Sequence, residues 1–230
     1  MRLGGVVLWL LLWAVPATAA DLASSLGVVS LPVSRDNQCP LVVFLSGDGG
    51  WAALDRGVST RLQAAGCPVL GWSSLTYFWQ RRTPDEVTAD LVRLLDRYQS
   101  RSPQRRLALI GFSFGAEIVP FLINRLPQRY RQQLVLAAML SPSTHSDFEI
   151  HVGDMLMSAG EQGYPTQPEV MRILDVPVLC MYGRDDDDPL QLCSRLQQQN
   201  VTGIGLPGGH HFEDDYPWMG QMLLSRLRPR

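Results

Sequence analysis

The sequence predicts a three-layer α/β fold, with a mostly parallel sheet between layers of helices. Three observations carry this. Continuous apolar runs of strand length recur at Leu41–Leu45, Leu107–Ile110, Leu134–Leu140 and Val176–Tyr182, and such runs suit strands buried on both faces. Helical segments with one apolar face lie between them, as parallel connections require. Glycine-rich turns follow several strands, among them 46–51, 111–115 and 207–209, at the carboxyl ends where open α/β sheets bind ligands.

Residues 1–20 read as a secretory signal peptide, not as part of that fold. Arg2 is their only charge, Val6–Val15 is almost wholly apolar, Pro16 breaks the run, and Ala17-Thr18-Ala19 fits cleavage after Ala19 or Ala20. The apolar stretch is short for a span, and no transmembrane segment is expected in the mature chain. Removing the peptide from 230 residues leaves about 210, which suits one domain, 21–230, with one sizeable core. The formal net charge is −2, all 20 basic residues are Arg, and no basic patch of the kind nucleic acid requires is present. Cys39, Cys67, Cys180 and Cys193 permit two disulfides in an exported chain. Cys39 and Cys67 each precede a strand, so neighbouring parallel strands can bring them together. Cys180 lies in a strand and Cys193 in the helix expected after it, and these are the pairings expected. No spacing of the C-x-x-C or H-x-x-x-H kind offers a zinc site.

Taken in order, Gly27–Val33 is an edge strand, since Pro32 keeps it from the sheet centre. Leu41–Leu45 is a buried strand ending in Ser46-Gly47-Asp48-Gly49-Gly50-Trp51. Leu54, Val58, Leu62 and Ala65 mark one face of a helix that Gly66 ends. Pro68–Trp72 is the next strand, and a loop after it is expected to expose Tyr77, Phe78 and Trp79. Thr83-Pro84-Asp85-Glu86 starts a helix with a capping box and proline at the first helical position. Val87, Leu91, Leu94 and Leu95 form its buried stripe. Leu107–Ile110 leads through Gly111-Phe112-Ser113-Phe114-Gly115 into a helix. After the strand Leu134–Leu140, the alternation of Phe148, Ile150 and Val152 predicts a short strand within 147–157. The last elements are a strand over Val176–Tyr182, a helix over Leu190–Gln199, a strand over Val201–Leu206 and a helix over Trp218–Leu227.

Strand, G-x-S-x-G, then helix is the context that gives this motif meaning. A nucleophile on so sharp a turn needs neighbours without side chains, and the helix N-terminus beneath it favours developing negative charge. A serine hydroxyl is a poor nucleophile at neutral pH, so an imidazole must take its proton and a carboxylate must orient the imidazole. Ser113, an acid among Asp185–Asp188, and a base at His210 or His211 follow successive strands in that order, which is the order of α/β-hydrolases. The minimal form without a separate lid domain is expected. The preferred set is Ser113, Asp188 and His210, because Pro189 can fix the turn after Asp188 and His210 directly follows two glycines. Asp186 and His211 are the second choices. The oxyanion donors expected are the N–H of Phe114 and one from the region of Asp48. This chemistry is acyl transfer to water through an acyl-Ser113 intermediate, with no metal or organic cofactor. Gly49, Trp51, Tyr77, Phe78, Trp79, Glu117 and Glu149 are candidate substrate contacts. Acids such as Asp48, Glu117, Glu149 and Asp154 would draw a cationic group to the cleft, and the aromatic loop at 77–79 would suit a lipid interface.

The segments "LSGDGGW" at 45–51, "YFWQRRTPDEVTAD" at 77–90, "GFSFGAE" at 111–117, "LSPSTHSDFEIHV" at 140–152, "CMYGRDDDD" at 180–188 and "LPGGHHF" at 206–212 resemble the VirJ domain of the bacterial VirJ and AcvB virulence proteins. The resemblance spans nearly all of the chain after residue 20. It implies an α/β-hydrolase fold, a periplasmic location, and carry-over of Ser113 as nucleophile and His210 as base. Family members commonly have Glu and Lys inside the segment where this chain has only Asp, so the acid carries over least directly. The AcvB branch implies hydrolysis of the aminoacyl ester of lysyl- or alanyl-phosphatidylglycerol at the outer face of the inner membrane. The VirJ branch implies the alternative, a periplasmic binding protein or accessory factor that meets type IV secretion components. AcvB-type chains carry an additional N-terminal region, and this chain is short like VirJ.

Overall fold

The computed structural model describes residues 19–33, 38–100, 105–150, 163–188 and 190–227. The expected signal peptide therefore falls, up to residue 18, outside the described residues. Seven strands form one sheet: β1 Val28–Leu31, β2 Leu41–Leu45, β3 Val69–Trp72, β4 Leu107–Phe112, β5 Leu134–Leu140, then β8 Val178–Gly183 and β9 Val201–Leu206. Their spatial order is β1-β3-β2-β4-β5-β8-β9, with β1 antiparallel to β3 and all other neighbours parallel. A two-residue pair, β6 His145–Ser146 and β7 Tyr164–Pro165, stands apart.

Period-2 alternation sends successive residues of each strand to opposite faces, and the core divides accordingly. Leu41, Val43 and Leu45 of β2, with Leu107 and Leu109 of β4, pack under α4 Pro84–Gln99, α5 Phe114–Arg125 and α7 Thr166–Met171. Val42 and Phe44, with Ala108 and Ile110, pack under α2 Ala53–Ala64 and α8 Tyr216–Leu227. Runs that are apolar at every position are what a sheet covered on both faces demands. The starts of the helices follow local chemistry. In α4, Thr83 Oγ1 accepts from the Glu86 N–H at 3.3 Å, and Glu86 Oε2 accepts from the Thr83 N–H at 2.8 Å. The short helices are α1 Ala19–Ser25, α3 Ser74–Tyr77 and α6 Gln128–Arg131.

Both disulfides are made as expected. Cys39–Cys67 joins the entrances of the parallel neighbours β2 and β3, with Cα atoms 4.9 Å apart. Cys180–Cys193 ties β8 to the segment after it, Cα to Cα 5.4 Å. Three expectations are corrected. Leu190–Gln199 is not a helix and holds only the 3-10 turn Cys193–Arg195. Its backbone is committed elsewhere: the Leu192 N–H donates to Pro142 O at 2.9 Å, and Gln191 bridges to Ser143. The segment 147–150 is no strand either, since Phe148 takes φ 55°. Phe148 and Ile150 are nonetheless buried, and their backbones bond the 78–82 turn through Arg82 N–H to Phe148 O and Ile150 N–H to Phe78 O. Val152 lies outside the described residues. Lastly, Tyr77 and Phe78 are core residues, 4% and 1% exposed, because α3 turns them inward; Trp79 alone projects, 59% exposed.

Asp55 in the first turn of α2 is buried, with Oδ2 accepting the Ala52 N–H at 2.9 Å and Oδ1 lacking a partner. A helix N-terminus favours an anion, yet desolvation outweighs it and pushes the carboxyl up to about 7. The folded value exceeds the unfolded one, so the contribution to stability is greatest below about pH 4 and is lost as pH rises toward about 7. Asp55→Asn keeps the acceptor for Ala52 and cannot ionise. Urea unfolding at pH 5 and pH 8 is expected to show wild type losing up to a few kcal/mol more than the variant. Equal losses in the two proteins would refute this.

Candidate active site

The site is built at the carboxyl ends of β4, β8 and β9. Ser113 sits between β4 and α5 with φ 51° and ψ −121°, a conformation L-residues adopt only when their surroundings enforce it. Close packing enforces it here. A Cβ on Gly111 would lie 2.3 Å from Gly115 O, and one on Gly115 would lie 2.4 Å from Leu45 O and 2.5 Å from Ser46 O. The Ser113 N–H is anchored to Leu140 O at 2.8 Å. The side chain is left half-buried above the sheet, over the first turn of α5.

His210 Nε2 lies 2.9 Å from Ser113 Oγ, and His210 Nδ1 lies 3.0 Å from Asp186 Oδ2. An ionised carboxylate only accepts, so Nδ1 carries the ring proton, and Nε2 presents its lone pair to the Ser113 hydroxyl. The Asp186 side chain is 5% exposed and that of His210 is 32% exposed, so the acid is sheltered and the base reaches solvent. The His210 ring also packs against Phe112, centroids 5.4 Å apart. His211, the second-choice histidine, is exposed and does not meet Ser113; its ring stands beside that of Phe112.

The carboxylate on the imidazole is Asp186, not Asp188. The four adjacent acids are sorted by the turn. The Asp185 N–H donates to Gly208 O at 3.0 Å and its Oδ2 accepts from the Gly208 N–H at 3.2 Å, joining the acid turn to the histidine turn. Asp187 is exposed. Asp188 points to the β5 side, where Oδ2 accepts from Ser143 Oγ and Oδ1 from the Leu190 N–H, both at 2.8 Å.

Gly47 lies against Ser113, its Cβ position 3.5 Å from Ser113 Cβ, and the turn closes with the Gly50 N–H on Gly47 O at 3.1 Å. Asp48 accepts from the Gly49 N–H through Oδ1 at 2.9 Å, and Gly49 faces open space. In the first turn of α5 the Ala116 and Glu117 N–H groups donate to Ser113 O at 2.8 and 3.2 Å, while the Phe114 and Gly115 N–H groups precede the first such bond and have no acceptor within the helix. The remaining substrate-contact candidates make the following contacts. The Trp51 ring lies over Gly71 and edge-on to Phe44. The Tyr77 hydroxyl donates to Asp90 at 2.6 Å, and Phe78 is packed between Phe114 and Phe148. Glu149 pairs with Arg81 at 3.0 Å. Glu117 is buried one helical turn beyond Ser113. Desolvation holds its carboxyl well above the usual range, and the charges of Asp48 and Asp147 raise it further.

Two residues were not singled out by sequence reasoning. Ser141 takes φ 48° at the end of β5 and donates through Oγ to His210 O at 3.2 Å; Ser143 holds Asp188. Their only signal is "SPS" directly after a buried strand.

A family model described as Bacterial virulence protein (VirJ) matches residues 40–230. The chain belongs to the VirJ family. No curated protein matches this VirJ-family chain by sequence. Among solved structures it is similar to MenH from S. aureus, with TM-score 0.65 and 14% identity over 87% of this chain and 97% of that one. It is also similar to the esterase domain of a Rhodothermus marinus protein, TM-score 0.57 and 15% identity over 85% and 89%. A thioesterase domain from the curacin biosynthetic pathway gives TM-score 0.55 and 13% identity over 86% and 94%. At these identities the likeness concerns the fold, and the VirJ-family chain has the α/β-hydrolase fold.

The elbow depends on backbone-to-backbone clearance that no rotamer change can restore. Gly115→Ala is therefore expected to destabilise the VirJ-family fold by about 2 kcal/mol or more, read from denaturant midpoints. A midpoint within error of wild type would show that α5 can move away without cost.

Proposed function

We propose that this chain is an exported serine hydrolase of carboxylic esters. The observation that carries the reading is the unbroken hydrogen-bond sequence Ser113–His210–Asp186 on a strained strand-to-helix turn. In this reading His210 Nε2 takes the proton from Ser113 Oγ as the oxygen attacks the ester carbonyl. Asp186 holds the ring orientation and stabilises the imidazolium. The carbonyl oxygen becomes an oxyanion beside the N-terminus of α5, where the Phe114 N–H and one N–H from the 47–50 turn receive it. Collapse expels the alcohol, which takes the proton from His210 and leaves acyl-Ser113. Water then enters by the same route in reverse, frees the acid and restores the hydroxyl.

For the substrate, the reading is the aminoacyl ester of lysyl- or alanyl-phosphatidylglycerol, met in the periplasm after removal of residues 1–20. The support is the family resemblance. Two fully paired cysteine couples among the described residues fit an oxidising compartment. Asp48 beside the elbow suits a substrate ammonium group, and exposed Trp79 suits a lipid surface. Among the described residues no helix is long and apolar enough to cross a membrane, so approach to lipid would be from the surface. A second reading, drawn from the match to the VirJ family model, is a periplasmic accessory factor of type IV secretion.

Ser113→Ala, His210→Ala and Asp186→Ala are each expected to lower kcat on a p-nitrophenyl ester by roughly 10³-fold or more. Combining them should add little, because the groups act as one unit. Asp187→Ala and His211→Ala should stay within about 3-fold. An Asp186→Ala variant as active as wild type would remove Asp186 from the site.

Pure protein incubated with lysyl- and alanyl-phosphatidylglycerol is expected to release free amino acid. No release from either, with p-nitrophenyl esters still cleaved, would discard the lipid and keep the esterase. Full secretion function in cells carrying Ser113→Ala would favour the accessory role.

A further inference from the structure

The acid turn lacks the support that α/β connections ordinarily give. Among the described residues no α-helix joins β8 to β9, and Asp186 stands on a turn between Gly183 and the 3-10 helix at Cys193. Yet its carboxylate is held to a single arrangement: Oδ2 on His210 Nδ1 at 3.0 Å, and Oδ1 accepting from the Asp188 N–H at 3.2 Å. What fixes that second donor is the Asp188 side chain. One of its oxygens takes the Leu190 N–H, which closes a local turn, and the other takes Ser143 Oγ, which reaches across from the end of β5. Ser143 is itself held in place, since its backbone bridges to Gln191.

The carboxylate is therefore held from two sides. On one side Ser113 meets Asp186 through His210. On the other, Asp186 is tied through Asp188 and Ser143 to the loop after β5. The second path never touches the imidazole. We propose that Asp188, anchored by Ser143, is a positioning residue that aims Asp186 at His210 in the hydrolytic reaction read above. The physical ground is direction. A carboxylate free to rotate would offer His210 either oxygen over a range of angles, whereas a donor fixed on Oδ1 leaves Oδ2 alone for Nδ1. The proposal rests on the hydrolytic reading of Ser113, and it gives Asp188 no contact with substrate.

A purely local role, closing the turn through Leu190, would leave Ser143 dispensable. The test is therefore steady-state hydrolysis of p-nitrophenyl butyrate by Ser143→Ala, Asp188→Ala, Asp188→Asn and the Ser143→Ala/Asp188→Ala double variant, with thermal melts of each. Misaiming a reacting group costs on the order of 10²-fold at most displacements of interest. Asp188→Ala is expected to lose about 10–100-fold in kcat with KM within about 3-fold. Ser143→Ala should lose a smaller factor in kcat, and the double variant should be no worse than Asp188→Ala, because one bond is removed from both ends. Asp188→Asn retains an oxygen for Leu190 and an amide that Ser143 Oγ can accept from, so it should recover most of the loss.

A Ser143→Ala kcat equal to wild type would overturn the assignment, as would losses from Ser143→Ala and Asp188→Ala that multiply in full. An Asp188→Asn variant no better than Asp188→Ala would overturn it too, since charge and not bonding would then matter. Should Asp188→Ala melt too low to assay, Ser143→Ala and Asp188→Asn decide alone. Ser113→Ala runs beside them. If it hydrolyses the ester like wild type, the hydrolytic reading and the positioning role both fall. If it is dead and Ser143→Ala is fully active, only the positioning role falls.

Discussion

The approach of α5 to the ends of β2 and β4 is the constraint from which the rest follows. Gly111 and Gly115 let helix backbone meet strand backbone with no side chain between, and the carbonyls of Leu45 and Ser46 occupy the space a Cβ would need. That proximity forces Ser113 into φ 51° and lifts its hydroxyl clear of the sheet. It also sets the start of α5 beside the 47–50 turn, where a Cβ on Gly47 would lie 3.5 Å from Ser113 Cβ. Strain of order 1–3 kcal/mol at one residue is small against a core buried on both faces of the sheet. The sheet supplies the rigidity, and the turn spends it on direction.

The other two groups are brought in by a different means. The acid and histidine turns grip each other through paired bonds between Asp185 and Gly208. The acid turn is further tied to the β5 end by Asp188 on Ser143, by Leu192 on Pro142, and to its own strand by Cys180–Cys193. A closed loop of this kind has less freedom to lose on folding. Covalent and hydrogen-bonded ties here do what a packed helix does after β2 and β4.

Buried carboxyls mark where this chain accepts a cost. Asp55 and Glu117 are both pushed up by desolvation, which weakens the fold as pH rises through the range over which each ionises. Asp55 bonds a backbone N–H at the entry to α2. Glu117 lies on α5 one turn after Ser113, and its N–H donates to Ser113 O at 3.2 Å. The two costs differ in kind: one secures a helix start, the other sits beneath the site.

Local chemistry alone determined much of this protein. The apolar runs fixed which segments are strands, the capping box fixed the start of α4, and G-x-S-x-G with its strand and helix fixed the elbow. Cys39 and Cys67 before neighbouring parallel strands, and Cys180 and Cys193 around one turn, announced their pairing. In each case the residues that matter are close in sequence, or are aligned by strand register. What local pattern did not decide was orientation within a run of like residues. Asp185 to Asp188 are chemically equal, and only the positions of Ser143, Gly208 and His210, far away in the chain, turn Asp186 to the imidazole and Asp188 away from it. The same holds for Tyr77 and Phe78, which a loop reading exposes and a single turn of helix buries. It holds for Leu190–Gln199, where a helical pattern lost to bonds with the 142–143 loop. Propensity is a matter of tenths of a kcal/mol per residue, so a few tertiary hydrogen bonds and a disulfide are enough to overrule it.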